Sequence, residues 1–163
     1  MTFDTILRAV AEFSTAHVTV TGGEPLAQRP CRSLLELLCN AGHTVSLETS
    51  GAIDISDIDS RVRVVMDLKT PGSGECDKNR YENIAHLKKT DEVKFVIRDR
   101  ADFTWSRDMV DTHKLATRCD VLFSPVYNAL PPRMLAEWVL ADRLPVRVQI
   151  QLHKILWGEE RGR

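Results

Sequence analysis

A short β-branched strand that is stopped in mid-run sets the terms for this chain. Val18-Thr19-Val20-Thr21 alternates as a buried strand does, and Gly22-Gly23-Glu24-Pro25 then ends it. Two glycines open backbone angles closed to other residues, and Pro25 removes a ladder donor and fixes φ. Glu24 is thereby left at the carboxyl end of a strand, the end where α/β sheets place their ligands. The same event recurs along the chain. Strands are expected at His17–Thr21, Thr44–Glu48, Val62–Leu68, Glu92–Ile97, Asp120–Phe123 and Val146–Leu152.

Helical stripes fall between the strands. Phe3, Ile6, Leu7, Val10 and Phe13 precede the first strand. Pro30 opens a stripe of Cys31, Leu34, Leu35 and Leu38 that ends at Gly42. Further helices are expected over Asn79–Leu87, within Ala101–Thr117, and from Pro131-Pro132 through Val139. Alternation of this kind dictates right-handed βα units and an α/β fold with a mostly parallel sheet. No repeat, low-complexity segment or linker divides the 163 residues, so 1–163 reads as a single domain.

Composition excludes several classes. A formal net charge of −1 offers no electrostatic basis for binding nucleic acid or a membrane. No apolar run is long enough to span a bilayer, and Met1-Thr2-Phe3-Asp4 lacks the basic start of a signal peptide, so a cytoplasmic location is expected. Cys31, Cys39, Cys76 and Cys119 form no close pair and read as core thiols rather than metal ligands.

In a parallel sheet the strand ends share one rim. Thr21-Gly22-Gly23-Glu24, Glu48-Thr49-Ser50-Gly51, Asp67-Leu68-Lys69 and Ser124-Pro125 therefore converge, and a polar ligand site is expected there.

This ordered set resembles the core of radical S-adenosylmethionine enzymes. The runs Met66–Glu75, Lys94-Phe95-Val96-Ile97 and Gln151-Leu152-His153-Lys154 resemble one family within them, the 7-carboxy-7-deazaguanine synthases. The resemblance implies a partial (β/α) barrel of the radical S-adenosylmethionine type. It implies a lyase of queuosine-precursor biosynthesis that converts 6-carboxy-5,6,7,8-tetrahydropterin to 7-carboxy-7-deazaguanine with loss of ammonia. In such enzymes a [4Fe–4S] cluster cleaves S-adenosylmethionine to start radical chemistry, a magnesium ion assists, and the chain pairs as a homodimer. Carried onto this sequence, Gly22, Gly23 and Glu24 would meet the methionine end of S-adenosylmethionine. Asp67, Leu68 and Lys69 would flank its ribose and carboxylate, and Ser124, Pro125 and Val126 its adenine. Thr21, Glu48 and His153 would contact the pterin.

One departure accompanies the resemblance. The family's cluster cysteines precede Gly-Gly-Glu, yet Met1–Thr21 contain no cysteine. The expectation is an N-terminally truncated chain that lacks the first strand, the cluster loop and the Asp-Thr serving magnesium, and that does not turn over alone. A fragment is preferred to a genuine cluster-less relative because the rim residues are retained. Another radical S-adenosylmethionine protein, such as a glycyl-radical activase, fits the Asp67–Glu75 run less well. A non-catalytic α/β module that binds a nucleoside or a partner is the alternative from a different class.

Overall fold

The computed structural model describes residues 1–158 and 160, with His153 described in its backbone only. Six strands form one sheet in strictly sequential order, every neighbouring pair parallel. They are β1 (His17–Val20), β2 (Thr44–Thr49), β3 (Arg63–Asp67), β4 (Glu92–Ile97), β5 (Asp120–Pro125) and β6 (Arg147–Val148). Right-handed crossovers in sequential order all return on one side, the winding of a barrel rather than of a two-sided sheet. Here the sheet stays open, with β1 and β6 as its edges.

That winding explains why the two faces differ. Val45 and Leu47, Val64 and Met66, Val93 and Phe95, and Val121 and Phe123 point one way and are buried. The helices lie against that side: α2 (Cys31–Asn40), α3 (Arg100–Thr112), α4 (Leu115–Arg118) and α5 (Pro132–Ala141). Aromatic rings interlock there edge to face, with Phe123 5.5 Å from Phe95 and 5.9 Å from Phe103 between ring centres. The alternate residues Ser46, Glu48, Asp67, Lys94 and Val96 occupy the other, open face, because the side-chain period of a strand is two. Helix α1 (Phe3–Glu12) is capped by the Thr2 hydroxyl, which accepts from the Thr5 amide at 3.3 Å, and buries no residue fully.

Two expected elements come out differently. The segment expected as a helix over Asn79–Leu87 is a 3-10 stretch, Tyr81–His86. Tertiary hydrogen bonds take its polar groups. Fully buried Asn83 donates to the carbonyls of Gly51 (3.0 Å) and Ile53 (2.8 Å) and accepts from the Ile55 amide (3.3 Å). The last strand, expected over Val146–Leu152, is only two residues long. Its ladder against β5 runs out after the Gln149 amide donates to the Phe123 carbonyl at 2.9 Å. From Leu152 the chain turns into α6 (Leu152–Trp157), where Leu152, Ile155 and Leu156 fall at helical rather than alternating spacing.

Candidate ligand site at the strand ends

The carboxyl ends of β1 to β5 meet on the open face, as parallel pairing requires. Past β1, Gly22 and Gly23 take φ of +105° and +60°, values that disfavour side chains, and a Cβ on either would meet no atom within 4 Å. The bend therefore leaves bare backbone beside open space. Thr21, Gly22, Gly23, Glu48, Asp67 and Lys69 line a cavity of about 150 Å³ together with Thr49 and Ser50.

Beneath this bend the Glu24 carboxylate is a brace. Its Oε1 accepts from the Leu26 amide at 3.0 Å and its Oε2 from the Ser50 amide at 2.7 Å. The Thr49 hydroxyl donates to both oxygens at 3.0 and 2.9 Å, and the Ser50 hydroxyl adds a very short bond to Oε2. Partial burial pushes the pKa up, but the bonds from Ser50, Leu26 and Thr49 outweigh it, and the carboxyl sits below its ordinary range. Glu24 thus fastens the end of β1 to the end of β2.

Charges alternate across the rim. The Thr21 hydroxyl donates to Glu48 Oε2 at 3.4 Å, and Lys94 Nζ stands 3.9 Å from the same oxygen. The same ammonium lies 3.1 Å from Asp67 Oδ1, while Lys69 Nζ donates to Asp67 Oδ2 at 3.0 Å. Asp67 Oδ1 is buried and receives no aligned hydrogen bond, so its contact with Lys94 is an ion pair only. The Asn79 side chain clamps Lys69, accepting from its amide at 2.8 Å and donating to its carbonyl at 2.9 Å.

Two larger cavities adjoin. One of about 540 Å³ is bordered by Asp67, Leu68, Lys69, Val96, Val126 and Gln151. Buried Asp102 holds two of its loops, accepting from the Gly72 amide at 2.8 Å and the Arg98 amide at 3.1 Å. The other, about 340 Å³, lies among Glu48, Lys94, Ser124, Gln149, Gln151 and Leu152. Pro125 borders a fourth hollow, about 310 Å³, shared with Tyr127 and Ile155. Of the twelve residues singled out from sequence, eleven sit on or directly under this rim. The twelfth, His153, is in α6, and its side chain lies outside the described residues. Lys94, Asn79 and Asp102 were not singled out as site residues. For Lys94 the polar position in an alternating strand was the available signal.

The cysteines sit elsewhere. Cys31, Cys39 and Cys119 are buried and Cys76 half-buried, and burial raises all four thiols, Cys119 to about 11. Among the described residues no group of three His, Cys, Asp or Glu is placed to hold a metal ion. These residues do not fit a cysteine-held cluster.

A singly wound parallel sheet with a polar open face and a glycine bend at its rim defines an α/β domain built like part of a (β/α) barrel, with its ligand site at the strand ends. Comparison narrows the class. A 7-carboxy-7-deazaguanine synthase from Chlorobaculum tepidum is 40% identical over 163 residues, spanning 98% of this chain and 74% of the relative. One from Koribacter versatilis is 38% identical, spanning 88% and 70%. The crystal structure of QueE from Escherichia coli shares the fold at a TM-score of 0.71 and 19% identity, over 93% of this chain and 64% of that one. No protein-family model matches. The chain belongs to the 7-carboxy-7-deazaguanine synthase family, lyases of the radical S-adenosylmethionine superfamily in queuosine biosynthesis. The alternative of a nucleoside- or partner-binding module is not favoured.

Proposed function

We propose that the rim binds S-adenosylmethionine and a pterin substrate for the conversion of 6-carboxy-5,6,7,8-tetrahydropterin to 7-carboxy-7-deazaguanine. The carrying observation is the run Thr21–Glu48–Lys94–Asp67–Lys69, in which donors and carboxylates alternate across four neighbouring strands beside the bare bend Gly22–Gly23.

The residues suit a zwitterionic nucleoside. Bare backbone at Gly22–Gly23 gives the amino-acid end close approach, and Lys69 offers a cation for its carboxylate. Asp67 borders both the 150 and the 540 Å³ cavities, where its carboxylate is placed to accept from a ribose hydroxyl. Val96, Val126 and Ala129 give the 540 Å³ cavity an apolar wall for adenine, with Leu68 in its floor and Ser124 and Pro125 one strand end away. Glu24 holds the bend from below. Thr21 and Glu48 suit the N–H edge of a pterin, and His153 is assigned to the same substrate. When bound, S-adenosylmethionine supplies the radical that starts the rearrangement, and the protein orients it and shields it from water.

The wider family assignment comprises a [4Fe–4S] cluster, magnesium, a homodimer and cytoplasmic residence. The cluster's thiolates are not supplied by the described residues. Pairing is supported by the exposed apolar run of Val148, Ile150, Leu152, Ile155, Leu156 and Trp157. Reducing conditions are supported by four unpaired cysteines.

Anaerobic calorimetry with S-adenosylmethionine tests the reading. Gly23→Trp fills open space and forces an indole onto a φ of +60°. Binding to the parent chain and a loss of about tenfold or more in the variant are expected. Equal heats from both would overturn the assignment of Gly23.

A further inference from the structure

Among the described residues, Lys94 is the cation set between two carboxylates of the rim. It projects from the open face of β4, 3.1 Å from Asp67 Oδ1 and 3.9 Å from Glu48 Oε2, with its side chain 18% exposed. An ammonium carries three donors. Neither contact is a hydrogen bond, since Asp67 Oδ1 has no aligned donor and 3.9 Å is too long. Lys94 is therefore a largely desolvated cation with unspent donors. It borders the 340 Å³ cavity together with Glu48, Ser124, Gln149 and Gln151.

The geometry points to Lys94 as a specificity-determining residue that reads the ring carbonyl of a 2-amino-4-oxo-pyrimidine edge. This rests on the assignment of Glu48 to the substrate made above. Such an edge presents two N–H donors and a carbonyl acceptor in a row. A carboxylate satisfies the donors and leaves the carbonyl in need of a donor immediately alongside. Lys94 stands beside Glu48 at a spacing that lets both reach neighbouring groups of one ring edge. Thr21 donates to the same Glu48 oxygen, at 3.4 Å.

The pairing also carries rejection. In a 4-amino ring the carbonyl is replaced by an N–H donor facing the largely desolvated ammonium of Lys94, and the neighbouring ring nitrogen loses the proton that Glu48 would accept. Sites built to bond a particular polar group discriminate strongly against its replacement, because their own buried groups lose a partner. A pterin and a deazaguanine both present the 4-oxo form of this edge. Lys94 and Glu48 can therefore hold that end of the ring system while the other end is rearranged.

The test compares pterin-6-carboxylic acid with its 2,4-diamino counterpart by anaerobic fluorescence titration of the full chain with S-adenosylmethionine present. The parent chain should prefer the 4-oxo compound by about tenfold or more. Lys94→Met should shrink the ratio by about threefold or more, leaving the share that Glu48 contributes through the ring N–H. Lys94→Arg, which keeps a cationic donor, should restore the preference in part. Lys94→Gln, whose amide can donate or accept, should also show a reduced ratio, and it decides the matter if the Met variant does not fold. An undiminished preference in Lys94→Gln or Lys94→Met would overturn the proposal, as would equal binding of both compounds by the parent chain. A parent chain that binds neither compound would overturn the substrate reading beneath it, with S-adenosylmethionine binding left to stand by itself.

Discussion

Replacing Glu24 with Gln should cost the fold far more than an isosteric change at a strand end ordinarily does. Each carboxylate oxygen receives its own backbone amide, Leu26 on Oε1 and Ser50 on Oε2. Whichever way a glutamine amide turns, its NH2 group faces one of those N–H donors. One hydrogen bond to a charged group is lost, and two donors are left opposed. Bonds to charged groups contribute about 1.5–3 kcal/mol, so a loss of about 2 kcal/mol is expected. With a urea dependence of about 2 kcal/mol per molar, the unfolding midpoint should fall by about 1 M. The pH dependence supplies a second reading. The carboxyl of Glu24 lies below its ordinary value of 4.5 in the folded chain. Its stabilisation is thus present above 4.5 and is lost as pH falls through the folded value. The gap between parent and Glu24→Gln should be widest at neutral pH and should narrow on acidification. Unchanged midpoints at pH 7, or a gap that persists undiminished below the folded value, would refute the bracing role.

Gly72→Ala should destabilise by about 2 kcal/mol, because its Cβ would stand 2.6 Å from Asp102 Oδ2 and displace the carboxylate that the Gly72 and Arg98 amides share. Urea titration of Gly72→Ala, Asp102→Ala and the double variant should show costs that do not add, since both act on one contact. Thiol labelling at pH 8 should give one faster equivalent at half-buried Cys76, with buried Cys119, raised to about 11, among the slowest. Mass mapping of the first modified peptide checks the order.

Much of the fold was legible in the residues, because parallel strands with one buried face and short turns leave periodic marks. The starts of β2, β4 and β5 fall where the pattern places them, and all three run on by at most two residues. The two misplacements share a physical origin. Val146, Val148, Ile150 and Leu152 alternate like a strand, yet β5 offers β6 only a short ladder before Val126 turns away to bond Ile97. Around Asn79–Leu87, helical spacing was overridden by side-chain amides serving other loops, Asn79 on Lys69 and Asn83 on Gly51. At the site, small polar residues at strand ends were conspicuous in sequence. Lys94 and Asp102 were not, because a lysine in mid-strand and an aspartate in a helix acquire their roles only from what the fold sets opposite them. Glu24 was conspicuous, but its partners Thr49 and Ser50 lie a whole βα unit away in sequence, so its bracing role could not be read from the chain.

Hydrogen exchange with and without saturating S-adenosylmethionine tests the central claim most directly. New protection is expected at the amides of Gly22–Gly23, Asp67–Lys69 and Val126, on three separate strand ends, with the helix-covered face unchanged. Protection confined to another part of the chain, or none despite measurable binding, would contradict the placement of the ligand site on this rim.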